Sequence, residues 1–357
     1  MRKPWTLGRK PSVARLFFLV SGEHPTLPFS EITSVLDAER YEYKALERLR
    51  QVFRLETDKN AIKPIIARTA MTRVCCQELF NCTAKFTEIN ETLRRIPLDS
   101  VIQKDDSFVV RVRRIGGVAT EGTSMDLERR LGKTILEKVA SAKVKLKTPK
   151  YVFFGVLTEN RFVFGLKLGE VFTKPFSERR PRKRPFFQPS AVTAKLARCM
   201  VNLTKAKAGD LVFDPFCGTA SFLIEAGLIG CRVIGSDAQR HMVKGGVSNL
   251  RHFEVTPEVM IVADAEHLPI TKTDCIVTDP PYGRTASTLG KSTEQIVKNV
   301  LPEFKNLLQK KSIVCMAAPK SIGIGGIAEK VGFKRLASHY VYVHRTLTRE
   351  IAVLEKA

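Results

Sequence analysis

The sequence predicts an α/β protein in two halves. From residue 189 onward it expects a doubly wound, mostly parallel sheet with an antiparallel hairpin at its edge, preceded by a basic α+β half. Three observations carry this. Strand-like runs at 210–216, 232–237, 259–263, 275–278 and 312–318 alternate with helical stretches at 220–229, 239–253 and 293–310, the rhythm of a parallel sheet wrapped by helices. The chain closes on 336–344 and 347–355, two runs near enough to pair as a hairpin. Finally, 59 Lys and Arg stand against 36 Asp and Glu, a net charge of +23 in 357 residues. Such a balance attracts a polyanion, nucleic acid first and a membrane surface second.

The remaining composition narrows the class. Hydrophobic content of 44% and charged content of 27% are those of a globular chain. No apolar run approaches the ~18 residues of a membrane helix. The apolar piece Leu16-Phe17-Phe18-Leu19-Val20 is too short for a signal-peptide core and reads as a first strand behind a basic tail. The eight cysteines (Cys75, Cys76, Cys82, Cys199, Cys217, Cys231, Cys275, Cys315) form no C-x-x-C pair and mostly lie in apolar segments. That spacing argues against a zinc site or a disulfide framework and for the reducing cytoplasm. The histidines show no metal-ligand pairing.

In chain order, a strand is expected at 15–22, a helix at 29–36 and a further strand at 45–56, followed at 61–80 by a helix-plus-strand stretch whose pattern stays unresolved. Residues 107–116 alternate apolar and basic side chains, as a half-buried strand with a cationic outer face does. Residues 127–141 space Leu131, Ile135, Leu136 and Val139 as a helix, and strands at 151–157 and 161–168 flank the turn Thr158-Glu159-Asn160. Prolines 175, 181, 185 and 189 then mark a linker. Inside it Arg179, Arg180, Arg182, Lys183 and Arg184 put five cations in six residues, with Phe186 and Phe187 following. A charge run is usually a solvated face, but cations beside aromatics suit phosphate contact with base stacking, and the net charge favours RNA contact here. The organisation expected is thus a ferredoxin-like α+β domain at 1–75, a second module at 76–172, a Pro/Arg-rich linker at 173–188 and the parallel-sheet domain at 189–357.

The strand ends carry the chemistry. The first strand of the carboxyl half ends in Asp214-Pro215-Phe216-Cys217-Gly218-Thr219-Ala220, and a glycine at a strand-to-helix turn lets a ligand approach the backbone. The second ends at Asp237, 23 residues after Asp214, where dinucleotide folds hold ribose hydroxyls on a carboxylate. The third ends in Asp264-Ala265. A full G-x-G-x-x-G is missing, which counts against a pyrophosphate ligand. Three carboxylates in register would repel phosphate and accept bonds from the hydroxyls and amino group of an unphosphorylated nucleoside. Each alone could merely cap the following helix.

Residues 274–284 read Asp-Cys-Ile-Val-Thr-Asp-Pro-Pro-Tyr-Gly-Arg. A short apolar strand delivers Asp279, Pro280, Pro281 and Tyr282 to its carboxyl end, where open α/β sheets bind ligands. Two prolines stiffen the loop. The Asp279 side chain and the Pro280 carbonyl can accept two N–H bonds from one exocyclic amino group while Tyr282 stacks on the flat ring. The plain alternative is a strand-ending turn.

This tetrapeptide resembles the Asp/Asn-Pro-Pro-Tyr signature of S-adenosylmethionine-dependent amino methyltransferases, and the carboxyl half resembles Rossmann-like methyltransferases. Gly132-Lys133-Thr134-Ile135, then Val144-Lys145-Leu146-Lys147-Thr148-Pro149 and the paired strands, resemble the carboxyl end of a THUMP domain, an RNA-binding module of tRNA-modifying enzymes. The whole order is similar to the archaeal tRNA guanosine-10 N2-methyltransferases and their eukaryotic counterpart. The resemblance implies S-adenosylmethionine as cofactor, held at Asp214, Gly218 and Thr219 (methionine side), Asp237 (ribose) and Asp264 (adenine), with Phe216, Ala220, Ala238, Ala265 and Asp279 also among the cofactor-binding residues. Gln188 and Pro189 resemble part of the family's extra cofactor motif, and Asp279 to Tyr282 would take the base. Ala220 departs from the motif, which often has a second glycine there. Lys133, Lys147, the linker cations and Phe186 would contact RNA.

The activity implied is N2-methylation of a tRNA guanosine, guanosine 10 first, once or twice, in the cytoplasm. No metal or covalent nucleophile is needed, and positioning should supply most of the acceleration. A sibling reaction at another guanosine such as position 6 is the nearest alternative. A non-catalytic RNA-binding protein is the second, and a DNA amino methyltransferase leaves the THUMP-like half without a purpose. The partners implied are tRNA and, by similarity to the eukaryotic members, a small activator protein.

Overall fold

A computed structural model describes residues 13–117, 122–139, 141–282 and 290–357. The basic tail expected ahead of the first strand, and Gly283 and Arg284 closing the Pro-Pro-Tyr motif, lie outside them. The chain divides into two compact units: residues up to Phe29 with Arg40–Ala67 and Thr72–Val171, and Ser30–Glu39 with Arg68–Met71 and Phe172–Ala357.

The first unit is built on a sheet of strands β1 (Val13–Val20), β2 (Tyr43–Leu49), β3 (Val52–Asp58), β4 (Thr72–Thr83), β5 (Ser107–Arg114), β6 (Lys143–Val144), β7 (Tyr151–Thr158) and β8 (Arg161–Glu170), in the order β2-β3-β1-β4-β8-β7-β5-β6. β5 runs parallel to β6 and β7, and the other pairs are antiparallel. Leu16 to Val20 are buried in succession, as a strand covered on both faces requires. Helices α3 (Phe86–Arg95) and α4 (Ser124–Lys138) send Ile89, Leu93, Leu131 and Ile135 into a core with Phe108, Phe153, Phe162 and Phe164. A capping box between Thr123 and Asp126 starts α4.

Two expectations change here. The strand expected at 45–56 is the β2–β3 hairpin, turned through Gln51 at φ +60°. That residue gives no Gly, Asn or Pro signal. The boundary expected at 75/76 falls inside β4, so residues assigned to two modules share one sheet. The unresolved stretch becomes α2 (Ile62–Arg68) followed by β4.

The second unit holds a sheet ordered β11-β10-β9-β12-β13-β15-β14. Its elements run α5 (Lys174–Glu178), α6 (Ala194–Leu203), β9 (Leu211–Asp214), α7 (Ser221–Gly227), β10 (Arg232–Asp237), α8 (Arg240–His252), β11 (Val259–Val262), β12 (Cys275–Thr278), α9 (Thr293–Leu307), β13 (Ile313–Pro319), α10 (Ile324–Val331), β14 (Phe333–His344) and β15 (Leu347–Lys356). β9 to β13 are parallel, and β15 and β14 close the edge antiparallel. The mostly parallel sheet with an antiparallel edge hairpin is therefore present. Phe213, Ile276, Val300, Phe304, Val314 and Leu354 belong to its core. From β9 the chain winds first through β10 to β11 and then returns beyond β9 to β12 and β13, so the order reverses there. A crevice opens at such a reversal, outside the carboxyl ends of the strands.

Part of α1 (Leu27–Ala38) and the loop 68–71 belong to this second unit, although both lie in the region expected to form the first domain. Fully buried Glu31 explains it. Its carboxylate accepts the backbone N–H groups of Ala70 (2.8 Å) and Met71 (2.9 Å) and the amide of Asn202 on α6 (2.9 Å). Burial raises the Glu31 pKa, and these bonds hold it down. Among the described residues no helix is long and apolar enough to cross a membrane.

Candidate active site at the carboxyl ends of the parallel strands

A cavity of about 1190 Å³ opens at the carboxyl edge of the second sheet. Pockets for one drug-sized ligand run to roughly 300–1,000 Å³, so this space is larger than a typical single-ligand pocket. Gln188, Pro189, Asp214, Phe216, Gly218, Thr219, Asp237, Ala238, Asp264, Ala265 and Asp279 to Tyr282 all line it. Residues separated by almost a hundred positions meet because four parallel strands end at one level.

Asp214 ends β9 and is 1% exposed. Its Oδ1 accepts the Phe216 N–H (3.2 Å) and the Thr278 hydroxyl (2.8 Å), while its Oδ2 is buried with no hydrogen-bond partner among the described residues. Burial pushes its pKa up to about 8; the two hydrogen bonds oppose the rise, and the charges of Asp237 and Asp279 add to it. Asp237 ends β10 and accepts the N–H groups of Gly218 (3.0 Å) and Gln239 (2.9 Å), with burial again raising its pKa. Gly218 adopts φ +47°, which glycine reaches without a Cβ penalty. Half-buried Asp264 accepts the Glu266 N–H at 3.0 Å in a tight turn.

Ala220, grouped with the cofactor residues on sequence, does not line the cavity. It is fully buried at the start of α7 in a left-handed conformation (φ 61°, ψ 31°), so its methyl group packs beneath the loop and does not narrow the site.

The loop after β12 holds Asp279 with its side chain 11% exposed. Tyr282 donates its hydroxyl to Asp279 Oδ2 at 3.3 Å, and Oδ1 is buried without a hydrogen-bond partner among the described residues. Burial pushes the Asp279 pKa up to about 6, against the Arg349 charge and the tyrosine bond that hold it down. Burial likewise raises the Tyr282 pKa. Sequence reasoning missed Arg349, which reaches both groups from β15, a strand read only as a sheet edge. Thr293 donates to the Pro281 carbonyl at 3.3 Å and ties the loop to α9.

The linker differs most from expectation. Arg184 is 5% exposed, donating to the Arg179 carbonyl (3.0 Å) and the Ser221 hydroxyl (2.6 Å), and burial lowers its pKa to about 10. Arg179 forms two bonds to buried Glu225 (2.7 and 3.1 Å), which also pairs with Arg198 at 2.8 Å. Neither arginine is free for a phosphate. Phe186 packs on α8 at Gly245, where an added Cβ would come within 2.1 Å of the ring. Arg180, Arg182 and Lys183 are exposed, the last paired with Glu178. Lys133 and Lys147, in the first unit, are exposed. Buried Asn249, another residue missed, accepts the Phe186 N–H (2.9 Å) and donates to the Phe186 (2.9 Å) and Thr219 (3.0 Å) carbonyls.

With this geometry the comparisons agree. Residues 181–349 match the family described as RMKL-like, methyltransferase domain, and residues 83–166 match the THUMP domain. Over 342 residues the chain is 35% identical to the tRNA (guanine(10)-N2)-dimethyltransferase of Methanothermobacter thermautotrophicus, spanning 96% of this chain and 99% of that one. The chain belongs to this family. As a tRNA (guanine(10)-N2)-dimethyltransferase family member it carries a methyltransferase fold shared with solved structures. TrmN from Thermus thermophilus aligns with a TM-score of 0.54 at 20% identity, over 96% of this chain and 100% of that chain. SMU.472, solved in complex with SAH, gives 0.54 at 12% identity, over 97% of this chain and 98% of that chain.

Proposed function

We propose that this family member transfers a methyl group from S-adenosylmethionine to the N2 amine of guanosine 10 in tRNA, in the cytoplasm, with the THUMP domain holding the tRNA. One observation carries the reading. Buried Asp214 and nearly buried Asp279 each present an oxygen without a hydrogen-bond partner among the described residues, and both line one cavity.

The donor set fits the cofactor. Asp214 Oδ2 has no hydrogen-bond partner among the described residues, and a cationic ligand would satisfy it in its ionised form. Gly218 and Thr219 let the methionine side approach the backbone. Asp237 keeps lone pairs for ribose hydroxyls beyond the two N–H groups it already accepts. Asp264 accepts from the adenine amine, and Gln188, Pro189, Phe216, Ala238 and Ala265 wall the pocket. When bound, the cofactor supplies an activated methyl on a sulfonium.

The chain's own residues prepare the nucleophile. Guanine's exocyclic amine is poor because its lone pair is delocalised into the ring. Asp279 Oδ1 and the Pro280 carbonyl accept its two N–H bonds and favour a pyramidal nitrogen with its lone pair directed at the methyl. Tyr282 stacks on the base and replaces the stacking lost when it leaves the RNA. Once the nitrogen carries a methyl group, its excess proton passes to Asp279 Oδ1. Arg180, Arg182, Lys133 and Lys147 contact the RNA backbone.

The purified chain is incubated with labelled S-adenosylmethionine and tRNA transcripts, and the product is mapped by mass spectrometry with its methyl count. Label at guanosine 10 is expected, with one or two methyl groups. Label confined to another nucleotide, such as guanosine 6, overturns the position. Cofactor and tRNA binding without transfer points to a missing activator protein or to a non-catalytic RNA-binding role. Asp279→Ala should lower transfer by at least about 100-fold and leave tRNA affinity within about twofold.

A further inference from the structure

Arg349 sits on β15 in register with Pro319 of β13 and Val341 of β14, which fixes its backbone from both sides. Its side chain is 13% exposed and turns to the loop after β12. Nε donates to the Tyr282 hydroxyl at 2.5 Å, and Nη2 lies 3.5 Å from Asp279 Oδ2. The guanidinium stands 5.5 Å from the centroid of the Tyr282 ring. Since the tyrosine hydroxyl also donates to Oδ2, both donors converge on one carboxylate oxygen, and the other has no hydrogen-bond partner among the described residues. A planar, permanently charged fork can hold a phenol oxygen and a carboxylate together; an ammonium on a flexible stem holds them less well.

We propose that Arg349 is a positioning residue of the transfer reaction: it occupies the Tyr282 hydroxyl and Asp279 Oδ2, so that Oδ1 and one face of the ring are left for the target base. This rests on the reading of Asp279 to Tyr282 as the base-binding loop. The arginine also keeps the loop in its accepting state. Asp279 is nearly buried, and the adjacent cation favours its ionised form. Without that charge the carboxyl would keep its proton at neutral pH and present a donor where the amine needs an acceptor. The groups facing Asp279 are Tyr282 on its own loop, Arg349 on β15 and Asp214 on β9, with Asp237, Asp264, Glu266, Lys291, His241 and His344 around the same cavity.

The test measures single-turnover methylation of tRNA from about pH 5 to pH 9 with the full chain, its Arg349→Met and Arg349→Lys variants, and a variant with His241 and His344 both replaced by Gln. Arg349→Met should lose about 100-fold or more at pH 7, and its acid limb should move up by roughly one to three units. Arg349→Lys should bring the limb back toward wild type and recover at least about tenfold of the loss. Cofactor affinity by calorimetry should change less than about threefold in both, and the histidine variant should keep its limb in place. A rate loss in Arg349→Met with an unmoved limb would overturn the proposal, as would a Lys variant no better than Met. Should the Met variant fail to fold, the Lys variant decides alone, since a limb shifted as far as one unit there removes the electrostatic role. The two readings fail separately. An active Asp279→Ala enzyme sinks the base-binding loop itself, whereas an inactive Asp279→Ala beside a normal Arg349→Met sinks only this inference.

Discussion

The hydroxyl of Thr278, the last residue of β12, donates a 2.8 Å hydrogen bond to Oδ1 of Asp214, the last residue of β9. The strand that leads into the proposed base-binding loop is thereby tied to the strand that ends in the proposed cofactor carboxylate, while Asp214 Oδ2 has no hydrogen-bond partner among the described residues. With its pKa pushed up to about 8, Asp214 holds a proton at neutral pH in the free protein. A cationic ligand needs the carboxylate. Affinity for S-adenosylmethionine should therefore strengthen as pH rises, by at most about tenfold per unit, and level off above about pH 8. Calorimetry at several pH values, repeated in buffers of different ionisation enthalpy, should show up to one proton released per cofactor bound. Asp214→Asn should bind weakly with no such slope, and a wild-type affinity flat from pH 6 to pH 9 would remove Asp214 from the cofactor site. The stability sign is opposite. An unfolded aspartate loses its proton near 3.8 and the folded one near 8, so the cofactor-free fold weakens steadily as pH rises between these values. Asp214→Asn should melt higher than wild type at pH 8.

The linker cations should separate into two classes. Exchange of exposed Arg180 and Arg182 for alanine should weaken tRNA binding and reduce the slope of log affinity against log salt by about one to two, with the melting temperature unchanged. Arg184→Ala should do the reverse, because it removes a buried donor to Ser221 and leaves polar groups unpaired. A loss of about 1–3 kcal/mol in denaturant unfolding is expected. Glu225→Ala should cost more, about 3–5 kcal/mol, since it strands Arg179 and Arg198 together. If Arg184→Ala changes the salt slope as much as the exposed pair does, that arginine reaches RNA after all.

What the sequence disclosed and what it hid follow the range of the forces involved. β9, β10 and β12 each read as a short apolar run ending in or just before an aspartate, and strand ends of a parallel sheet share one level, so the cavity lining could be named before its geometry. The Gln51 turn carried no local marker, so two strands read as one. Burial of Arg179 and Arg184 depends on Glu225, 46 and 41 residues further on, and a run of cations says nothing about where its counter-charge lies. Arg349 is 70 residues beyond Asp279, on a strand whose alternation marks it only as a sheet edge. Long-range polar pairing has no period, and that is where the reading stopped.

Asn249 offers a test of how the proposed cofactor loop is held from behind. It lies on α8, fully buried and outside the cavity lining, yet its amide links the linker at Phe186 to the loop at Thr219 through three bonds. Asn249→Ala takes the side-chain partner from the part-buried Phe186 N–H and carbonyl and from the buried Thr219 carbonyl, which should cost about 1–3 kcal/mol of stability. Thr219 would lose its anchor, so cofactor affinity should fall by about tenfold although no contact in the cavity has been removed. Asn249→Asp separates the bond directions. It keeps the acceptor for the Phe186 N–H but turns a carboxylate oxygen toward two carbonyls, so it should be at least as destabilising as alanine in denaturant unfolding. An aspartate variant of wild-type stability would mean that the Phe186 and Thr219 carbonyls do not depend on the N–H groups of the amide.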